Sequence, residues 1–223
     1  MKRDIKEIEY AVFDMDGTLL DTMYLWDSAP ERLLGALGLE CDADTREDVR
    51  SMTTAQVADY IIKKYGVSKS NAEICDLFNK TMEDFYDREA DFKEGAKELL
   101  FALRKRGVGM CLATATDRHM VISALERLGI CGMFDFILTC SELGASKVDP
   151  LIFNTALEMC RKDREKTWIF EDSHFALLTA SKAGFPTVGV YDDSFAAFED
   201  IKKEASDIYV NSLTEICRLL SEH

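Results

Sequence analysis

The chain has 223 residues, enough for one large domain or for one domain carrying a smaller insert. Apolar residues make up 47% and charged residues 30%, and with only 3 prolines and no low-complexity tract there is no sign of a disordered linker. A formal net charge of -14 argues against a nucleic-acid polymer as partner, because phosphate backbones are held by clustered Lys and Arg.

Tyr10-Ala11-Val12-Phe13 reads as a first strand that stops at Asp14. The next stretch, 22–92, breaks into helical spacings over Leu25 to Leu37, Ala55 to Tyr65 and Asn71 to Arg88, with no convincing strand. A helix from Lys97 to Arg106 leads to a second strand, Val108 to Ala113. A helix from Arg118 to Leu128 precedes a third, Phe136 to Thr139, and a helix from Leu151 to Cys160 precedes a fourth, Trp168 to Phe170. The fifth, Thr187 to Val190, follows a helix from Phe175 to Ala183, and Ile208 to Val210 adds an edge strand before a last helix, Leu213 to Leu220. Apolar runs without polar alternation suit a sheet covered on both faces. Strand-helix alternation then predicts a doubly wound parallel α/β core. The expected division is a core of 1–21 and 93–223 with a helical insertion at 22–92.

The seven cysteines form no CxxC pair, and several, such as Cys111, sit in apolar runs; they read as reduced core thiols. Residues Met1 to Glu7 lead into no apolar signal segment, and no run reaches the ~18 apolar residues of a membrane span. The expectation is a cytoplasmic protein with no membrane partner, a monomer or weak homodimer.

Ligands of open α/β sheets bind beyond the carboxyl ends of the strands. There the first strand delivers Asp14-Met15-Asp16-Gly17-Thr18, the second Thr114-Ala115-Thr116, and the fourth Glu171-Asp172-Ser173, while Lys147 stands in the loop before the fourth. Four carboxylates at one edge repel one another and call for a cation. An all-oxygen donor set without His or Cys favours a hard ion, and Mg²⁺ is the usual one beside phosphate. His119 and His174 also follow strand ends, but read as helix-start residues without catalytic duty. Met23 and Trp26 lie just inside the helical insertion, where they could meet a ligand, although packing accounts more simply for such residues.

Asp14-Met15-Asp16-Gly17-Thr18-Leu19-Leu20-Asp21 resembles the first motif, DxDGTxxD, of the haloacid dehalogenase-like superfamily. Thr114, Lys147 and Glu171-Asp172 are similar to its second, third and fourth motifs, in the same order. The resemblance implies a Rossmann-like core with a helical cap and Mg²⁺-dependent hydrolysis of a small phosphorylated metabolite. Asp14 would be the nucleophile and Asp16 the general acid and base. Thr114, Ala115 and Lys147 would hold the phosphoryl oxygens, and Asp14, Asp16, Asp172 and Glu171 the metal.

The chain departs from the pattern in three places. The lysine is followed by Val148-Asp149-Pro150, and Ala176 stands where glycine is frequent. The stretch Ser51-Met52-Thr53-Thr54-Ala55-Gln56 lacks the arginine with which a mutase would clamp a second phosphate. The alternatives are a sugar phosphomutase of the beta-phosphoglucomutase kind and a non-catalytic binding protein on the same fold.

Overall fold

In the computed structural model, which describes residues 3–222, the first strand, β1 (Tyr10–Phe13), is buried from end to end. Five helices follow: α1 (Met23–Asp27), α2 (Ala29–Ala36), α3 (Ala43–Val49), α4 (Thr54–Tyr65) and α5 (Asn71–Arg88). Strands and helices then alternate through α6 (Ala96–Lys105), β2 (Gly109–Thr114), α7 (Arg118–Arg127), β3 (Phe136–Thr139), the short α8 (Cys140–Leu143), α9 (Leu151–Cys160) and β4 (Thr167–Glu171). The chain closes with α10 (His174–Lys182), β5 (Thr187–Val190), α11 (Glu199–Ala205), β6 (Ile208–Val210) and α12 (Leu213–Ser221).

The six strands form one parallel sheet in the order β3-β2-β1-β4-β5-β6. The architecture is the doubly wound α/β core with inserted helices that the strand-helix rhythm predicts. β1 lies at the switch point, with β2 on one side and β4 on the other. Phe13 is in register with Leu112 and with Phe170, so the chain segments that begin at Asp14, Thr114 and Glu171 leave the sheet at one edge.

Side-chain alternation divides the core. Ala11 and Phe13 of β1 join Met110 and Leu112 of β2 on the face covered by α6, α7 and α12. Tyr10 and Val12 join Cys111 and Ala113 on the face covered by α9 and α10. Phe13 and Phe170 stack with ring centroids 4.4 Å apart, tying β1 to β4 immediately below the site.

The inserted helices start where their sequences favour it. Thr53 with Gln56 and Ser70 with Glu73 form reciprocal capping boxes at the starts of α4 and α5. The single helix expected from Leu25 to Leu37 is instead two, α1 and α2, broken at Ser28. Pro30 explains the break: it has no N–H to offer the Trp26 carbonyl, and its ring would collide with that carbonyl. α3 and α11 lie outside the elements predicted from sequence, as both are short and largely polar.

The two chain crossings between sheet and inserted helices run side by side. Asp21 N–H donates to Asp91 C=O, and Lys93 N–H donates to Leu19 C=O, each at 2.9 Å. Beyond them, Asn79, Glu83 and Asp87, one turn apart on α5, meet Asp117, His119 and Ser123 at the start of α7. These polar pairs flank a continuous apolar contact, since Phe78 and Met82 of α5 and Met120, Val121 and Ala124 of α7 belong to one buried cluster.

Candidate active site

The turn after β1 sets the geometry. Leu19 and Leu20 N–H both donate to the Met15 carbonyl, and Gly17 N–H donates to Leu20 C=O at 2.8 Å. Gly17 adopts φ +76°, and a Cβ there would run into the Asp172 carboxylate and the Met23 side chain. The chain thus folds back tightly enough to leave Asp14 and Asp16 facing the sheet edge.

Lys147 is the hub of the charged cluster. Its ammonium lies 2.6 Å from Asp14 Oδ1 and 2.9 Å from Glu171 Oε2, with all three side chains buried. Ser173 donates to the other Glu171 oxygen through both its hydroxyl and its N–H. Thr18 Oγ1 donates to Asp172 Oδ1 at 3.0 Å, while Asp172 Oδ2 is buried without a protein partner. Carboxylate oxygens of Asp14, Glu171 and Asp172 lie within 4.8 Å of one another.

Burial, followed by the neighbouring Glu171 carboxylate, pushes the Asp14 carboxyl well above its usual range against the pull of Lys147. Burial, Glu171 and Asp192 together push Asp172 up to about 8, opposed by Lys93 and Lys202. Burial alone would discharge Lys147, but Asp14 and Glu171 override it and hold the ammonium charged. Lys147 is the cation in direct contact with the cluster, and its one charge does not balance Asp14 and Glu171 together. A hard divalent ion fits the cluster: the donors are all oxygens within 4.8 Å of one another, and Asp172 Oδ2 is buried with no hydrogen-bond partner.

Asp16 stands apart from the cluster. Thr22 Oγ1 and Tyr86 Oη each donate to its Oδ1 at 2.6 Å, and Thr116 Oγ1 donates to Oδ2 at 2.5 Å. Trp26 Nε1 donates in turn to Tyr86 Oη at 2.7 Å. Two residues of the inserted helices are therefore linked to a core carboxylate. Asp16 still borders the cavity in front of Asp14 and Lys147.

Of the remaining residues singled out from sequence, Thr114 is fully buried and its Oγ1 accepts the Thr116 N–H at 3.1 Å. Ala115 and Lys147 line the cavity. The two histidines stand outside the cluster. His119 faces Glu83, and His174 stacks on Phe198 at 3.9 Å, where burial lowers its proton affinity.

Sequence reasoning missed Thr18, Thr22, Tyr86, Thr116 and Ser173 as partners of the carboxylates. It also missed Arg46 and Arg50, which line the cavity although no arginine occurs in Ser51–Gln56. Thr18 was visible inside the first motif and Thr22 immediately after it, whereas nothing local marks Tyr86.

Residues 11–190 match the family described as haloacid dehalogenase-like hydrolase. A validoxylamine A 7'-phosphate phosphatase from Streptomyces hygroscopicus subsp. limoneus is 27% identical, over 92% of this chain and 94% of its own length. A phosphoglycolate phosphatase from Pseudomonas fluorescens is 27% identical, over 80% of this chain and 68% of its own. Among solved structures, the beta-phosphoglucomutase from Clostridium difficile superposes with a TM-score of 0.79 at 22% identity, over 96% of this chain and 97% of that one. With a match running from β1 to β5, the chain belongs to the haloacid dehalogenase-like hydrolase family.

Proposed function

We propose that this chain is a Mg²⁺-dependent phosphatase that hydrolyses a small phosphate monoester through an aspartyl-phosphate on Asp14. The observation that carries the reading is the separation of two neighbouring carboxylates into different surroundings: Asp14 lies against Lys147 in the charged cluster, and Asp16 is held by hydroxyls at the cavity wall.

Asp14, Asp172 and Glu171 would hold the ion through their carboxylates and Asp16 through its backbone carbonyl, its own carboxylate being held by hydroxyls. When bound, Mg²⁺ supplies positive charge that screens Asp14 from the incoming phosphate. Asp14 Oδ attacks phosphorus as the bond to the ester oxygen breaks, and protonated Asp16 gives its proton to the departing alkoxide. Asp16, now ionised, takes a proton from water; the resulting hydroxide attacks phosphorus, releasing inorganic phosphate and restoring Asp14. Lys147, the Thr114 hydroxyl and the Ala115 N–H bind the phosphoryl oxygens, which carry the developing charge.

In this account 22–92 acts as a cap over a core formed by 1–21 and 93–223. Closing it excludes water, and opening it releases product. The paired crossings at 19–21 and 91–93 are the natural hinge. The protein works as a cytoplasmic monomer or weak homodimer, without nucleic-acid or membrane partners. No helix of the described residues is long and apolar enough to cross a membrane.

The test is release of inorganic phosphate from a panel of phosphorylated metabolites, with Mg²⁺ or with EDTA, beside Asp14→Asn. Release that depends on the metal and is lost in the variant supports the reading. Metal-independent release, or a fully active variant, refutes it.

A further inference from the structure

The inserted helices meet the core on both sides of the charged cluster. α7 follows β2 and the loop 191–198 follows β5, while β1 and β4, which deliver Asp14 and Glu171, lie between those strands. The two contacts differ in kind. α5 packs on α7 through an apolar cluster that includes Phe78, Met82, Met120 and Val121. At the loop the contact is polar: Ser194 Oγ donates to Asp27 Oδ2 at 2.6 Å, and the Ser194 carbonyl accepts from Arg50 Nη1 at 2.8 Å. Arg50 Nη2 lies 3.4 Å from Asp27 Oδ1, and the guanidinium lies over the Phe195 ring, 5.1 Å from its centroid. One serine thus holds both members of an Asp-Arg pair, Asp27 closing α1 and Arg50 following α3. Asp27 and Arg50 line the cavity in front of Asp14, while Ser194 stands behind them.

On the core side the loop is braced. Lys93 Nζ donates to Asp192 Oδ2 at 2.6 Å and to the Tyr191 carbonyl at 2.9 Å, and Asp192 Oδ1 accepts the Ser194 N–H at 3.0 Å. The Lys93 and Asp192 side chains are 15% and 6% exposed, against 24% and 40% for Arg50 and Asp27. Parting the shielded pair would leave a buried charge alone, whereas water can replace a partner in the wetter one at little cost. The loop therefore stays with the core, and the contact that can open is the one to Asp27 and Arg50.

From this asymmetry, and resting on the reading of 22–92 as a cap over a phosphatase site, we propose that Ser194 is a positioning residue for the reaction. It clasps the cap in its closed position and so sets Asp27 and Arg50 at the cavity wall, without touching substrate itself. When the clasp parts, the apolar contact between α5 and α7 holds. The clasp raises the share of the free protein that is closed, and a substrate that binds the closed form binds in proportion to that share. Bound substrate adds contacts of its own, so the complex stays closed even where the clasp is weakened.

Ser194→Ala tests this, because it keeps the carbonyl that Arg50 uses and removes only the hydroxyl. With the best monoester of the phosphate-release panel it should raise KM about fivefold, the effect of one hydrogen bond, with kcat undiminished. Asp27→Ala should raise KM at least as much, and adding Ser194→Ala to it should cost nothing further. An unchanged KM, a fall in kcat, or additive effects overturn the proposal and leave phosphatase activity standing. Hydrogen exchange of the free protein needs no substrate: peptides covering α1 and α3 should exchange at least about twofold faster in Ser194→Ala, with those of α5 and α7 unchanged. Unaltered exchange in α1 and α3 overturns the clasp whether or not any monoester turns over. If none does, it is the phosphatase reading that falls, and exchange alone decides the clasp.

Discussion

Tyr86 Oη donates to Asp16 Oδ1 at 2.6 Å while accepting the indole N–H of Trp26 at 2.7 Å, so a carboxylate of the core is oriented by two side chains of the inserted helices. Burial, and next the Asp16 carboxylate, push the Tyr86 hydroxyl well above its usual pKa, which keeps it a donor at every working pH. Tyr86 is a positioning residue: it touches Asp16 and need not touch substrate.

Tyr86→Phe removes one of three donors to Asp16 and leaves the Trp26 indole unpaired. A hydrogen bond to a charged group contributes about 1.5–3 kcal/mol, so kcat should fall by roughly tenfold to a hundredfold. KM should stay within about twofold, because the phosphoryl-binding groups are untouched. Steady-state kinetics supply this split, and Trp26 emission should shift in the same variant. An unchanged kcat removes Tyr86 from the mechanism.

Metal-free stability should fall as pH rises. Burial raises the folded-state pKa of Asp14 above its unfolded value and that of Asp172 to about 8. Between the unfolded value near about 4 and that folded value, the native state holds more protons than the unfolded chain, so the slope of unfolding free energy with pH is negative. In EDTA, Tm should therefore drop from about pH 5 to about pH 8, and saturating Mg²⁺ should raise it by several degrees more at the higher pH. Thermal scans at both values check this; equal stabilisation by Mg²⁺ at the two pH values contradicts it.

Lys147→Met leaves Asp14 and Glu171 buried side by side without their shared cation. Removing one partner of a buried ion pair costs about 3–5 kcal/mol, and phosphatase activity should vanish with it. Adding Glu171→Gln removes one of the stranded charges and should recover part of the stability but none of the activity. Denaturant unfolding of the single and double variants measures the difference. No recovery in the double variant would mean that packing, not charge, is the role of Lys147.

Much of this was legible in the sequence because it is local. Tyr10–Phe13 is apolar at every position, as a central strand covered on both faces requires, and Asp14 and Asp16 follow it directly. Lys147, Glu171 and Asp172 could be placed beside them because parallel strands end at a common edge. What stayed hidden is what depends on distant partners or on weak local signals. α3 buries only Thr45 and Val49, too little for an apolar periodicity to show. Tyr86 and Asp16 are far apart along the chain, and helical spacing marks Tyr86 only as a core residue. Arg46 and Arg50 were visible as cations, but whether they are free or already neutralised rests on Glu31, Asp27 and Ser194, which lie on other elements.

The most direct test of the central claim is mass spectrometry of the peptide containing Asp14 after acid quench during turnover. The account predicts an acid-stable adduct with the mass of one phosphoryl group on Asp14, absent from Asp14→Asn and from protein held in EDTA. An adduct on another residue, or undiminished turnover by Asp14→Asn with no adduct at all, contradicts it.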